Sequence, residues 1–192
     1  MNVKLILLET GLKMIETIQQ DHRNIMQLLQ VLDNKISLLK EDKEIDYRLI
    51  KSIISYLKDY ADKYHHPMED LIYDYYLKYR VVTDQVANRL ADDHHKLKVM
   101  TSELDDLLGM ILLDAIISKE LFIEKLEQFV SRQKLHLVYE ENEILPAIKN
   151  SLTAHDWAHL NLQWKHKQYA DPLFGKSISQ EFESLAERIA QL

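Results

Sequence analysis

Apolar residues recur at three- and four-residue intervals along most of this chain, the spacing of helices with one buried face. From about Lys13 to Lys40 they fall at Ile15, Ile18, Ile25, Leu28, Leu29, Leu32, Ile36 and Leu39. A charged turn, Glu41 to Glu44, follows, and Asp46 is placed to cap a second helix. That helix carries Ile50, Ile53, Ile54, Leu57 and Ala61, then Met68 and Ile72, with Pro67 inside it. A proline there lacks the N–H the helix needs, which predicts a kink or bulge. Thr83 and Asp84 are capping residues for a third helix bearing Val86, Ala87, Leu90, Leu97, Leu104 and Leu108, which Gly109 ends or loosens. Ser118 opens a fourth helix with Leu121, Phe122, Leu126, Phe129, Val130 and Leu137, ending near Pro146. Four amphipathic stretches joined by short connections predict an all-α, up-down-up-down four-helix bundle over residues 14–150.

The flanks read differently. Residues 1–13 precede the regular pattern that begins at Met14, and are expected to form an N-terminal leader. Residues 151–192 form a C-terminal helical tail rather than a second domain. Thr153 with Asp156 three residues later resembles a capping box, ahead of a short helix with Trp157, Leu160 and Trp164. The run from Asp171 to Gly175 reads as a turn whose apolar residues dock on the bundle. A last amphipathic helix carries Ile178, Phe182, Leu185 and Ile189. The apolar residues of the tail could serve a homodimer interface as easily as a bundle cap.

Composition narrows the function. With 192 residues, only three Gly and three Pro, the chain suits one helical domain with a substantial core. A net charge of -7 without a Lys/Arg cluster argues against nucleic acid and against anionic membrane surfaces. Zero cysteines exclude disulfides, thiolate metal sites and a catalytic thiol. The short apolar run Leu5 to Leu8 is stopped by Glu9, too early for a signal peptide, so a cytoplasmic location is the default.

The polar residues on the inner faces carry the chemistry. Asp21-His22 is followed 43 residues later by His65, with Glu69 four beyond. Asp93-His94 is followed 42 residues later by His136, with Glu140 four beyond. His22 lies four after Ile18 and three before Ile25, and His94 four after Leu90 and three before Leu97, so both point inward. His and Glu at i, i+4 share a helix face. At 1.5 Å per residue, His22 and His65 reach the same level, roughly 30 Å from their connecting turn, and His94 and His136 do likewise. Any one inward histidine is more often a hydrogen-bonded core residue than a ligand. Two inward carboxylates at the same depth are costly unless metal or charge answers them, so the set predicts a two-metal site. Imidazole and carboxylate without sulfur suit iron, manganese or zinc. His66 could reach the site at i, i+3 from Glu69, but helix phase favours His65. His95 falls about 100° off the inner face, and His155, His159 and His166 belong to the tail surface. Among the crowded tyrosines of the second helix, Tyr60, Tyr64, Tyr73, Tyr75, Tyr76 and Tyr79, one could hydrogen-bond near the metals or carry an oxidising equivalent.

Asp21-His22-Arg23-Asn24-Ile25, the HHPMED run from His65 to Asp70, Asp93-His94-His95 and the stretch from His136 through Glu140 to Pro146 resemble the hemerythrin-like, HHE cation-binding family of four-helix bundles. The tail resembles that of longer bacterial members. The resemblance implies a non-haem di-iron centre held by His22, His65, Glu69, His94, His136 and Glu140. Both glutamates and an oxo group would bridge the two iron ions. It implies binding or reduction of a small oxidant (dioxygen, nitric oxide or peroxide), in an oxidative or nitrosative stress response. An iron-sensing or iron-handling module without turnover is the alternative. Oxygen carriers of the family have a further histidine where Lys98 stands. The set of four histidines and two glutamates is similar to that of the repair-of-iron-centres proteins. Ferritin-type Glu-x-x-His sequences do not occur in the chain.

Overall fold

The computed structural model describes residues 3–81, 89–164 and 170–191. Thr83, Asp84, Val86, Ala87 and His166 lie outside these. The described residues are helical throughout, with no strand among them. Four antiparallel arms build the bundle. The first is α1 (Val3–Lys40), which passes through Met14 without a break. The second is α2 (Tyr47–Tyr56), a π-helical stretch (Leu57–His65) and α3 (His66–Arg80), run together. The third is α4 (Arg89–Leu112). The fourth is α5 (Lys119–Tyr139), a second π-helical stretch (Glu140–Ile144) and α6 (Leu145–Ser151).

The two helical hairpins share one construction. Each first helix ends at an aspartate in the left-handed region, Asp42 at φ 56° and Asp114 at φ 59°, a conformation that Asp tolerates better than most residues. The following helices start on the caps expected from sequence. Asp46 accepts from the N–H groups of Arg48 and Leu49, and Ser118 Oγ accepts from Leu121 N–H. The 72-residue offset seen in the histidines therefore extends to both turns and both caps. The expected disturbance at Pro67 is the first π-helical stretch, which ends two residues before the proline. The fourth arm does not stop near Pro146. It stays helical to Ser151, because Pro146 occupies the first turn of α6, where its missing N–H removes no bond.

Packing divides the interior into two apolar plugs. One gathers Ile25 to Leu39 of α1, Leu49 to Tyr60, Leu104 and Leu108, and Phe122 to Leu137. The other gathers Met14 to Ile18, Met68 to Tyr73, Leu90, and Ile144 to Leu160. On every arm the buried polar residues fall between these two sets. They are Asp21, His22 and Asn24, then His65, His66 and Glu69, then Asp93, His94 and Thr101, and last Gln133, His136 and Glu140.

The C-terminal segments cap both plugs. Helix α7 (Ala154–Trp164) lies along α1. Thr153 and Asp156 form the expected capping box, and the Asp156 carboxylate also accepts from Tyr75 Oη and Arg80. The Asp171 turn docks Phe174 and Phe182 against the Tyr56 ring. A short 3-10 turn (Gln180–Phe182) then leads into α8 (Glu183–Ile189). Ile178 precedes this helix and is 44 % exposed, and Leu121 is 43 % exposed, so neither is a core residue. Both sit in the first turn of an element or before it, where periodicity loses its meaning.

Two outcomes follow from this packing. A Cβ at Gly11 would sit 2.2 Å from the Trp157 indole. Gly11→Ala is expected to lower stability by about 1–3 kcal/mol through overpacking, read by chemical denaturation. Burial pushes the Asp156 carboxyl up, but Arg80, Thr153 and Tyr75 outweigh it and hold it well below its ordinary value. A depressed carboxylate stabilises above its unfolded pKa and loses that contribution as pH falls through the folded one. Asp156→Asn is expected to lose about 1–3 kcal/mol at neutral pH and to flatten the loss of stability with acid below about pH 4, measured by denaturation across pH.

Candidate metal centre

All six residues expected to converge do so, in the layer between the plugs. His22, His65, Glu69, His94, His136 and Glu140 are each at most 6 % exposed. Their Nε2 atoms surround the two carboxylates. His22 Nε2 lies 3.0 Å from Glu69 and 3.3 Å from Glu140, joining the two halves. His65 Nε2 lies 3.3 Å from Glu69, and His136 Nε2 lies 3.3 Å from Glu140. His94 Nε2 stands 3.5 Å from each glutamate.

A fifth imidazole joins them. His66 is as buried as its neighbour and stacks on His94 with ring centroids 4.2 Å apart. Consecutive residues on an α-helix diverge by about 100° and cannot both face one point. The π-helical stretch ending at His65 adds a residue to the turn and rotates the register there. Helix phase drawn from sequence misses this. The HHP run was the only available signal. His95, Lys98, His155 and His159 are exposed, as the phase of their helices requires.

The five imidazoles and Glu69, but not Glu140, fall into two overlapping sets of donor atoms. One comprises His22, His65 and Glu69, and the other His66, Glu69, His94 and His136. Within each set the donor atoms lie within 4.8 Å of one another, and Glu69 belongs to both.

Carboxylates outside the layer fix four of the five imidazoles, while His136 Nδ1 has no hydrogen-bond partner. His22 Nδ1 is 2.7 Å from Glu141, His65 Nδ1 3.1 Å from Asp21, His94 Nδ1 2.7 Å from Asp70, and His66 Nδ1 3.4 Å from Asp62. Such pairing orients a ring so that Nε2 faces inward, which is how metal-binding histidines are commonly held. Asp21 neighbours His22 in sequence but serves His65 in the fold. Glu141 and Asp70 follow Glu140 and Glu69 by one residue, which puts them outside the layer but within reach of the histidine on the facing helix.

Inside the layer, polar atoms are left over. His65 Nε2, His94 Nε2, His136 Nε2, Glu69 Oε2 and both Glu140 oxygens are buried without a hydrogen-bond partner. Unsatisfied buried donors and acceptors are rare and costly. Six in one layer, all nitrogen or carboxylate oxygen, fit bound metal ions, and the donor chemistry suits iron, manganese or zinc.

The electrostatics agree. Burial would push His22 and His94 down. The carboxylates of Glu140, Glu141 and Glu69 around His22, and of Asp70, Glu140 and Glu69 around His94, reverse this and raise both rings to about 12. Burial and the nearby His94 charge lower His136 to about 4. Burial and the neighbouring Glu69 charge push Glu140 up, yet His136, His22 and His94 bring it down to about 2. Without metal, protons on His22 and His94 supply the positive charge that the two glutamates demand.

A family model for the hemerythrin HHE cation binding domain matches residues 13–148. No curated protein matches the chain.

Metal ions arriving at neutral pH must displace those protons. Adding zinc or ferrous ion to metal-free protein in weak buffer is expected to acidify the solution. A pH indicator reads the release, and binding without acidification would show that the rings were already neutral.

Proposed function

The chain belongs to the hemerythrin HHE cation-binding family, and from that premise we propose that it holds two iron ions and uses them to bind or reduce a small oxidant, dioxygen, nitric oxide or peroxide. His22 and His65 would hold one ion and His66, His94 and His136 are placed to hold the other, with Glu69 and Glu140 available as carboxylate ligands. When bound, the iron pair supplies open coordination positions and one-electron steps.

The observation that carries the reading is the shape of the space beside the carboxylates. A cavity of about 10 Å³ touches Glu69 and Glu140 and is otherwise walled by Ile18, Ile72, Leu90, Ile144, Leu145 and Ile148. That is room for about one water-sized molecule. Its walls offer no hydrogen-bond donor, so a ligand there is small and is held by the metals. An organic substrate does not fit. The apolar walls also keep bulk water and buffer anions from the site. Glu141 and Asp70 keep His22 and His94 aimed inward while ligands exchange. No helix among the described residues is long and apolar enough to cross a membrane.

Protein purified in air is expected to contain about two irons per chain with absorption in the near ultraviolet. At ligand concentrations about a hundredfold above Kd, each bound ion stabilises a fold by about 2.7 kcal/mol. Chelation of two ions is then expected to lower Tm by roughly 10–20 °C for a chain of this size. Ile144→Phe fills the cavity without touching a donor atom. It is expected to keep the iron and lose nitric oxide binding, followed by absorbance. Iron-free protein that takes up no ferrous ion under anaerobic conditions would overturn the reading.

A further inference from the structure

Two buried tyrosines on the second arm stand in line with the metal layer. Tyr60 Oη donates to Asp21, 3.2 Å from each carboxylate oxygen, and Asp21 in turn meets His65 Nδ1 at 3.1 Å. Tyr56 lies one turn back, its ring stacked on Tyr60 with centroids 5.5 Å apart and planes 12° from parallel. Its Oη donates to Asp171 of the C-terminal turn, at 3.1 Å. The sequence thus places two consecutive phenol–carboxylate pairs between the metal layer and the tail. Both rings are buried, at 1 % and 7 % exposure. Burial and the nearby carboxylates keep both phenols protonated. A structural hydrogen bond to orient His65 needs Asp21 alone. It does not need a phenol behind Asp21, a second ring stacked on the first, or a second carboxylate behind that.

We propose that Tyr60 is a redox-active residue that gives one electron to the oxidised metal centre while its phenolic proton passes to Asp21, with Tyr56 and Asp171 extending the path towards the tail. The proposal rests on the reading that the layer holds iron. Peroxide is the oxidant. Its reduction to two waters takes two electrons and two protons; bound iron would supply one electron, Tyr60 the other, and solvent both protons. Tyr60 gives up its electron while the peroxide is being reduced. Its O–H bond breaks, the proton stays on an Asp21 oxygen and the ring is left as a neutral phenoxyl. The same exchange at the next pair reduces Tyr60 again and leaves Tyr56 oxidised, its proton on Asp171. Stacking puts the two rings in contact for that transfer, and each proton moves only along an existing hydrogen bond. The path leads an oxidising equivalent out of a sealed layer to Asp171 and Phe174, where the tail meets the bundle.

The test loads metal-free protein anaerobically with ferrous ion, measures bound iron, adds excess hydrogen peroxide and freezes samples over time for electron paramagnetic resonance. A narrow organic radical signal is expected in the unaltered protein, lost in Tyr60→Phe and retained in Tyr73→Phe. Tyr60→Phe keeps the ring stack, and its bound iron is measured in the same samples. With Tyr56→Phe the signal should persist longer, because the onward step is closed. Iron bound and oxidised with no organic radical would overturn this proposal alone, as would a signal unchanged in Tyr60→Phe. Failure to bind iron would overturn the iron reading and this proposal with it.

Discussion

Glu69 and Glu140 lie in a layer sealed above and below by apolar plugs, and among the described residues no lysine or arginine pairs with them. Two carboxylates in such a place repel each other and lose their hydration, a combination that folding cannot carry without positive charge close by. The imidazoles meet that demand in either of two ways. Protonated, His22 and His94 pair with the glutamates directly. Neutral, the same nitrogen atoms are donors to a cation. The layer is therefore a receptor for positive charge first and a metal site by consequence. The outer carboxylates, Glu141, Asp21, Asp70 and Asp62, hold the rings in the orientation that serves both states.

Backbone irregularity makes the layer dense enough. Regular α-helices would present one histidine per arm plus a glutamate one turn on. The π-helical stretch at Leu57–His65 turns both His65 and His66 inward. The one at Glu140–Ile144 begins on the glutamate itself and leads into Ile144 and Leu145, which wall the small cavity. Widened turns are tolerated here because the arms are long and well packed on either side, so that a local loss of helix geometry is offset by plugs of Ile, Leu and Phe.

Much of this was legible in sequence, and the reasons are physical. Inward phase at His22 and His94 follows from flanking apolar residues, and the i, i+4 spacing of His65–Glu69 and His136–Glu140 survives because one turn of either helix type keeps such residues close. Caps at Asp46 and Ser118 were readable because they depend on local side-chain chemistry alone. What was not legible depends on neighbours distant in sequence or on a change of helix type. His66 entered the layer through a π-turn. Asp21 reached across to His65 rather than supporting the histidine beside it. The end of the fourth arm was misplaced because Pro146 looks like a stop, whereas a proline in a first helical turn is a start.

The same layer explains why a large open groove is not the reactive site. A groove of about 720 Å³ between α1 and the fourth arm touches Glu141 and the outer edge of His22. The small apolar cavity of about 10 Å³ is instead the one that Glu69 and Glu140 touch. Size and polarity thus select the ligand before any metal chemistry acts. A molecule that enters must be small and able to bind through its own lone pairs. Electrons do not need that opening. They can leave through stacked aromatic rings and hydrogen bonds, and the Tyr60–Tyr56 stack runs from the layer in the direction opposite to the cavity. Ligand entry at the Leu90 and Ile144 side and electron traffic at the Asp171 side would then use separate faces of one bundle, which lets the cavity stay closed to everything larger than its oxidant.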